Sequence, residues 1–356
     1  MVEDFKNKIQ RLKLENFTCF AKAEMDFSSG INVFIGENGT GKTHVLKIMY
    51  ALNSSAANLE FQQNSSDANG MVGIKPHSFI ITPLEVFSIQ NPSELIRLKK
   101  TTNSAKIQFD ENLEFGYKVD AKNITPSFTV SDRIILKPLF VPTHEIISTH
   151  RGFIPNYIER VSDYDKTYFD LAVNLQKSNL KEQPVEFLQE LQEKTGLDVQ
   201  LNPDGLFYIN DGKTIVKAKL SAEGFRKMAQ VIQLIKNGSL RKNSILYWDE
   251  PEVNLNPKYI KIVAKFLQTL AKNGVQIFVA THDYLLVHLL SLDAEYREET
   301  QAPPMKFFSF YKGEDGTEIE SADNLTFIQN NSILDEYAAY HDLENQLYYQ
   351  KHNTPV

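Results

Sequence analysis

Apolar and polar residues alternate through Ile9–Phe17 (Ile-Gln-Arg-Leu-Lys-Leu-Glu-Asn-Phe), which predicts a strand with one buried face. After Thr18-Cys-Phe-Ala a second strand is predicted over Ala23–Phe27, and Ser28-Ser-Gly turns the chain into the apolar run Ile31–Ile35. Residues 53–76 are polar and read as a loop. Lys106–Val119 alternates about Asp-Glu-Asn, a hairpin pattern, and Ile134–Val141 reads as a buried strand stopped by Pro142. Residues 150–196 look helical, with Pro184 opening a short helix that carries Phe187, Leu188 and Leu191 and ends at Gly196. Leu206–Ile209 and Thr214–Ala218 flank Asn-Asp-Gly, a second hairpin signal. From Ser221 an amphipathic helix aligns Phe225, Met228, Ala229, Ile232 and Ile235, closing at Gly238. Ile245–Trp248 is wholly apolar and Gln276–Ala280 is apolar after its glutamine, as strands covered on both faces are, and Lys258–Leu270 between them is helical. Met305–Tyr311 predicts a strand and Ile333–Tyr349 a helix rich in tyrosine and acid, either of which packs on the core or docks a partner.

Composition narrows the class. The 356 residues suffice for one large or two ordinary domains, and 42% hydrophobic with 23% charged residues is the balance of a soluble globular protein. Apolar runs fall well short of a membrane span, and Met1-Val-Glu-Asp-Phe-Lys lacks the pattern of a secretory signal. A single cysteine, Cys19, permits no intrachain disulfide, so a reducing cytoplasm is the expected setting. The net charge of −7 argues against an electrostatic grip on nucleic acid by the whole surface and leaves room for a local basic groove.

Chemistry enters at Gly36-Glu-Asn-Gly-Thr-Gly-Lys42-Thr43, directly after the Ile31–Ile35 strand. This is the Walker A pattern: glycines let backbone N–H groups close on phosphates, the lysine reaches the β and γ oxygens, and the threonine hydroxyl meets Mg²⁺. The strand before it and Val45, Leu46, Ile48, Met49 and Leu52 after it set it apart from an ordinary glycine-rich turn. Ile245-Leu-Tyr-Trp248 ends in Asp249-Glu250, the Walker B arrangement, in which one carboxylate holds Mg²⁺ and the next activates water. Alone, four apolar residues and two acids describe any strand meeting a turn; the run Pro251-Glu-Val-Asn-Leu-Asn-Pro257 that follows makes the pattern specific. Thr281-His282-Asp283 closes the next strand, where a histidine serves as a cap or as a donor to a γ-phosphate. Leu220-Ser221-Ala-Glu-Gly224-Phe225-Arg226-Lys227 reads as a helix start that is either a simple N-cap or an anion site.

Taken in order, these motifs resemble an ABC-type ATPase. Arg11-Leu-Lys-Leu-Glu-Asn-Phe-Thr-Cys-Phe and Gly30-Ile-Asn-Val-Phe-Ile-Gly-Glu-Asn-Gly are similar to the RecF/SMC branch. Leu220-Ser-Ala-Glu-Gly-Phe-Arg-Lys and Trp248-Asp-Glu-Pro-Glu-Val-Asn-Leu-Asn-Pro are similar to the AAA-ATPase-like group that includes the OLD nucleases and many phage-defence ATPases. The resemblance implies an α/β ABC-ATPase head: a P-loop mixed/parallel sheet, an N-terminal antiparallel β subdomain and a short helical lobe. It implies ATP and Mg²⁺ as cofactors, with phosphate contacts from Gly36, Asn38, Gly39, Gly41, Lys42 and Thr43 and the adjoining His44. Thr43 and Asp249 would hold Mg²⁺, Glu250 would be the catalytic base, His282 would sense the γ-phosphate, and Ser221 and Gly224 would serve a second protomer's nucleotide. The expected parts are 1–143 (Walker A and β subdomain), 144–219 (helical lobe and hairpin), 220–300 (signature, Walker B, His switch) and 301–356 (strand-helix extension).

The signature departs from the family in reading Ser-Ala-Glu-Gly rather than Ser-Gly-Gly-Gln. No glutamine marks the Gln-loop cleanly; His144 or Glu145 stands where it is expected, with Gln90 a further candidate. Residues 144–219 are too few for an SMC coiled-coil arm. No Asp-x-Asp follows His282, so the TOPRIM nuclease of OLD proteins is not expected; Asp163-Tyr-Asp165 matches by letters in a polar helical segment and reads as solvated surface. His144-Glu-Ile-Ile-Ser148 lacks the second histidine of a zinc HExxH. Lys258, Lys261 and Lys265 at helical spacing, and Arg97, Lys99, Lys100 and Lys106, read as solvated faces or as a surface for DNA or a partner. The expected partners are a second copy of the chain, a separate effector such as a nuclease, and DNA or RNA, with no membrane. A RecF-like repair ATPase is the alternative, and a transporter subunit or a GTPase fits the motifs less well.

Overall fold

The computed structural model describes residues 8–64, 83–98, 104–109, 115–127, 138–159, 163–181, 188–189, 192–193, 195–296 and 302–352. Its centre is a six-stranded sheet in the order β14-β13-β3-β12-β11-β7. The strands are β3 (Ile31–Gly36), β7 (Leu139–Val141), β11 (Ile245–Asp249), β12 (Gln276–Ala280), β13 (Met305–Gly313) and β14 (Gly316–Ala322). All neighbours run parallel except the antiparallel edge strand β14. Every residue of β3, β11 and β12 is buried, which is why these segments are mostly apolar without alternation, with Asn32, Asp249 and Gln276 as the polar exceptions.

Period-2 geometry sends the two faces into different cores. Ile31, Val33, Ile35, Leu246, Trp248, Ile277 and Val279 meet helices α5 (Glu223–Lys236), α6 (Pro257–Lys272) and α7 (Tyr284–Tyr296). Phe34, Tyr247, Phe278, Phe308 and Phe310 face α1 (Lys42–Asn64) and the second sheet. That second sheet is antiparallel, in the order β2-β1-β4-β5-β6, built from β1 (Arg11–Phe17), β2 (Phe20–Asp26), β4 (Ser104–Phe109), β5 (Phe115–Asp120) and β6 (Ile124–Ser127). The one polar residue within β3, Asn32, is fully buried and satisfied: its amide donates to Ser28 O (3.0 Å) and Ile277 O (3.3 Å) and accepts from Ser28 N (2.7 Å).

The loop expected from residue 53 is instead the second half of α1, which runs to Asn64; residues 65–76 lie outside the described residues. The polarity misled because Asn53, Ser54 and Ser55 are buried against hydroxyl groups. Asn53 Nδ2 donates to Tyr247 OH (3.4 Å), and Ser55 Oγ lies 2.9 Å from Tyr117 OH. The helical stretch expected over 150–196 is broken into α3 (Phe153–Ile158) and α4 (Lys166–Leu175). Asp165, read as solvated surface, is buried: it caps α4 at Thr167 N and pairs with Lys47 of α1 at 2.7 Å. Pro184, Phe187, Leu191, Ile134, Lys99 and Lys100 lie outside the described residues.

A third sheet, β10-β9-β8, joins the predicted hairpin of β9 (Phe207–Asn210) and β10 (Ile215–Lys217) to β8 (Asp198–Leu201), which the sequence pattern did not reveal. A short helix, α2 (Pro83–Phe87), packs near α1, and Phe87 meets Phe17 edge-on at 6.0 Å. The last helix, α8 (Ser332–His352), is anchored by Tyr337 stacking on Tyr284 (4.3 Å), and from Glu336 through Lys351 it is exposed. Among the described residues no helix is long and apolar enough to cross a membrane.

Candidate functional site

The C-terminal ends of four parallel strands, β3, β12, β11 and β7, open on one edge of the central sheet, where α/β proteins bind ligands. The loop after β3 requires its glycines. Gly36, Gly39 and Gly41 have φ of 134°, 79° and 93°. A Cβ on Gly36 would lie 2.1 Å from Phe310 O, and one on Gly41 would lie 2.5 Å from Cys19 Sγ. Asn38 and Gly39 are exposed at the loop tip. Lys42 is 7% exposed, and its Nζ donates to Gly36 O (2.6 Å) and Glu37 O (2.8 Å). Burial lowers its pKa against the opposing pull of Glu250, Asp249, Glu252 and Glu37. His44 is exposed, with its ring edge on Phe87 at 5.4 Å.

Thr43 Oγ1 lies 3.1 Å from each carboxylate oxygen of Asp249, at the end of β11. Thr143, two residues beyond β7, donates to the same carboxylate at 3.2 Å. Burial and then the charge of Glu250 raise the Asp249 pKa to about 6, and the two hydroxyls offset part of that rise. Hard oxygen donors around one buried acid suit a cation such as Mg²⁺, which Thr43 and Asp249 could hold.

Glu250 has φ of 49°, an uncommon left-handed conformation for a glutamate, and its N–H is held by Ala280 O at 2.8 Å. Its Oε1 sits 3.2 Å from His282 Nδ1. Behind them lies Glu252, 6% exposed, accepting from Thr281 Oγ1 (2.7 Å) and His282 N (3.2 Å). Its other oxygen has no hydrogen-bond partner among the described residues, and burial raises its pKa.

The helix expected to open at Ser221 begins at Glu223, with Ala222 as N-cap and no side-chain cap bond; Ser221 closes the preceding turn Ala218–Leu220. Gly224 is buried under Leu255, whose Cδ2 would lie 2.6 Å from a Cβ there. Arg226 donates to Ser221 O (2.9 Å) and pairs with Glu145 (2.6 Å). Lys227, 3% exposed, donates to Glu250 O at 3.2 Å.

The structure thus brings together Gly36, Lys42, Thr43, Asp249, Glu250 and His282, while Ser221 and Gly224 are held by other neighbours. Of the Gln-loop candidates, His144 and Gln90 are exposed and Glu145 is occupied by Arg226 and Ser148. Thr143 meets Asp249 instead. The sequence reading missed Thr143, Glu252 and Lys227. Glu252 carried a signal in its place in Asp249-Glu-Pro-Glu252 beside the Walker B acids, and Lys227 in closing the Leu220–Lys227 motif; Thr143 carried none.

The family model described as "AAA domain, putative AbiEii toxin, Type IV TA system" matches residues 31–288. The DNA replication and repair protein RecF of Francisella tularensis subsp. novicida is 31% identical over 106 residues, 29% of this chain and 28% of that protein. RecF of Streptococcus thermophilus is 31% identical over 72 residues, 18% of this chain and 20% of that one. The chain therefore spans less than a third of the length of these relatives. A solved Smc head bound to the C-winged helix domain of ScpA shares the fold at TM-score 0.54 and 14% identity, over 88% of this chain and 97% of that one. The Smc head with an extended coiled coil, bound to the C-terminal domain of ScpA derived from Pyrococcus furiosus, matches at 0.54 and 11%, over 94% and 99%. With the phosphate loop, the paired acids and the fold agreeing, the chain belongs to this AAA-domain family and has the fold of an Smc-type ATPase head.

Proposed function

We propose that the chain is a Mg²⁺-dependent ATP hydrolase that works as a head-to-tail pair, each ATP lying between one protomer's phosphate loop and the other's α5. The loop amides around Gly36, Asn38, Gly39 and Gly41 and the Lys42 ammonium bind and orient the phosphates, with His44 at the start of α1. Glu250 accepts the proton of the attacking water, and His282, beside it, donates toward the γ-phosphate. Mg²⁺ held by Thr43 and Asp249 would neutralise charge on the phosphoryl oxygens. Ser221 and Gly224 serve the partner's nucleotide. The observation that carries this reading is the convergence of Thr43 on Asp249 and of Glu250 on His282 at one sheet edge. The test is Glu250→Gln with ATP and Mg²⁺ in light scattering. A stable nucleotide-bound pair supports the proposal; a monomer with undiminished turnover overturns it.

The assembly would act as sensor or gate in a cytoplasmic defence or nucleic-acid complex, with a nuclease or other effector on a separate chain. The toxin description of the family supports this, and nuclease activity from the purified chain alone would contradict it. The RecF similarity favours a second reading, a DNA-repair ATPase. Hydrolysis stimulated by duplex DNA, with the stimulation falling steeply as salt rises, would select it.

A further inference from the structure

We propose that Lys227 is a positioning residue that ties the base Glu250 to α5, so that a protomer hydrolyses its own ATP efficiently only when its α5 is engaged at the partner's site. This rests on the shared-site reading above. Lys227 is 3% exposed, and an ammonium removed from water is costly unless its charge is used. Its Nζ is directed at one atom of the catalytic turn, the backbone carbonyl of Glu250, at 3.2 Å. That carbonyl already accepts from Val253 N at 3.3 Å, so the turn closes without the lysine. The ammonium is therefore an added restraint on Glu250.

Glu250 is a sensitive point to restrain. It sits at φ 49°, its N–H is fixed to Ala280 O, and its carboxylate reaches His282 at 3.2 Å. A small rotation of its peptide redirects the carboxylate, since the N–H end is pinned by β12 and only the carbonyl end answers to α5. The charged groups facing Lys227 are Glu252, Glu223, Glu250 and Asp249, the first and last two being the acids of the catalytic turn.

The preceding residue repeats the design on the neighbouring strand. Arg226 pairs with Glu145 at 2.6 Å, in the segment after β7 that also presents Thr143 to Asp249. Two consecutive cations of one helix therefore grip the segments beyond two adjacent strands, β7 and β11. Any shift of α5 on meeting a partner's nucleotide is transmitted to both.

The test uses the full chain with Lys227→Met, which keeps the stem and removes the donor, and Lys227→Arg, which keeps a donor. Lys227→Met is expected to lower kcat by about tenfold or more with KM changed less than about twofold, and to bring the Hill coefficient for ATP toward 1. Its melting temperature and its ATP-driven pairing in the Glu250→Gln background are expected to persist, and Lys227→Arg is expected to recover part of kcat. Wild-type kcat and cooperativity in Lys227→Met would overturn the proposal, as would a loss of ATP binding in parallel with stability. Absence of pairing in Glu250→Gln alone would sink the shared-site reading and this proposal with it.

Discussion

Thr43 and Asp249 stand 206 positions apart in the chain, yet the threonine hydroxyl is equidistant, at 3.1 Å, from both oxygens of the carboxylate. Thr43 lies in the first turn of α1, the turn that directs N–H groups toward the loop, and Asp249 ends β11. The contact joins the two halves of the nucleotide motif at one buried acid, and the burial of that acid sets stability against function.

That conflict is measurable. The Asp249 carboxyl titrates at about 6 in the folded chain against 3.8 unperturbed, so between those values the folded state holds the proton more tightly. Stability therefore falls as pH rises from 3.8 to about 6, and ionised Asp249 costs up to about 3 kcal/mol at neutral pH. Asp249→Asn is expected to melt about 2–6 °C higher than wild type at pH 7.5 without nucleotide, to converge with it near pH 4, and to lose hydrolysis. Thermal melts across pH 4–8 test this; identical curves for the two proteins would refute it.

Lys42→Ala removes the ammonium bonded to the Gly36 and Glu37 carbonyls. ATP affinity is expected to fall about 100-fold or more while the fold persists, since the loop glycines hold their own conformations. Titration calorimetry with ATP, beside circular dichroism, gives the answer.

Glu252→Ala leaves Thr281 Oγ1 and His282 N without their acceptor in a buried place. About 1–3 kcal/mol of stability is expected to be lost. Turnover should drop more than ATP affinity, because His282 loses its backbone anchor. Glu252→Gln, which keeps one acceptor oxygen, should fall between the two in urea melts and in steady-state kinetics.

The glycines of the phosphate loop are not equivalent. Gly36→Ala sets a Cβ 2.1 Å from the Phe310 carbonyl at φ 134°, whereas Gly39→Ala meets nothing within 4 Å at φ 79°. Gly36→Ala is expected to destabilise by more than about 2 kcal/mol, and Gly39→Ala by only the left-handed backbone cost of about 1 kcal/mol. Chemical denaturation separates them.

The legible parts of the site were those in which function is written along the chain. Gly36 through Thr43 and Ile245 through Glu250 carry strand, turn and chemistry in consecutive residues. Thr143 is different: a threonine after a short strand has no local signature, and only the β7–β11 pairing sets it beside Asp249. Glu145 looked available to the nucleotide because its partner, Arg226, is remote in sequence. The extent of α1 was hidden for a similar reason. Asn53 and Ser55 read as polar loop until the hydroxyls of Tyr247 and Tyr117, on two other strands, give them a reason to be buried. Strand β14 followed no apolar pattern because it lies at the sheet edge, laddered on β13 alone among the described strands.

The pairing of β13 with β3 has a consequence for how the protein comes into being. Residues 305–310 lie in register beside 31–36, so the strand that launches the phosphate loop gains its second neighbour from far downstream. A ribosome that has made the loop, and even the Asp249 acid, has not yet made the backbone that braces Gly36. The emerging chain must wait, its apolar β3 edge unclosed, until the late hairpin arrives. Early nascent fragments are therefore expected to be clients for chaperones and poor binders of ATP, although every Walker residue is already present in them.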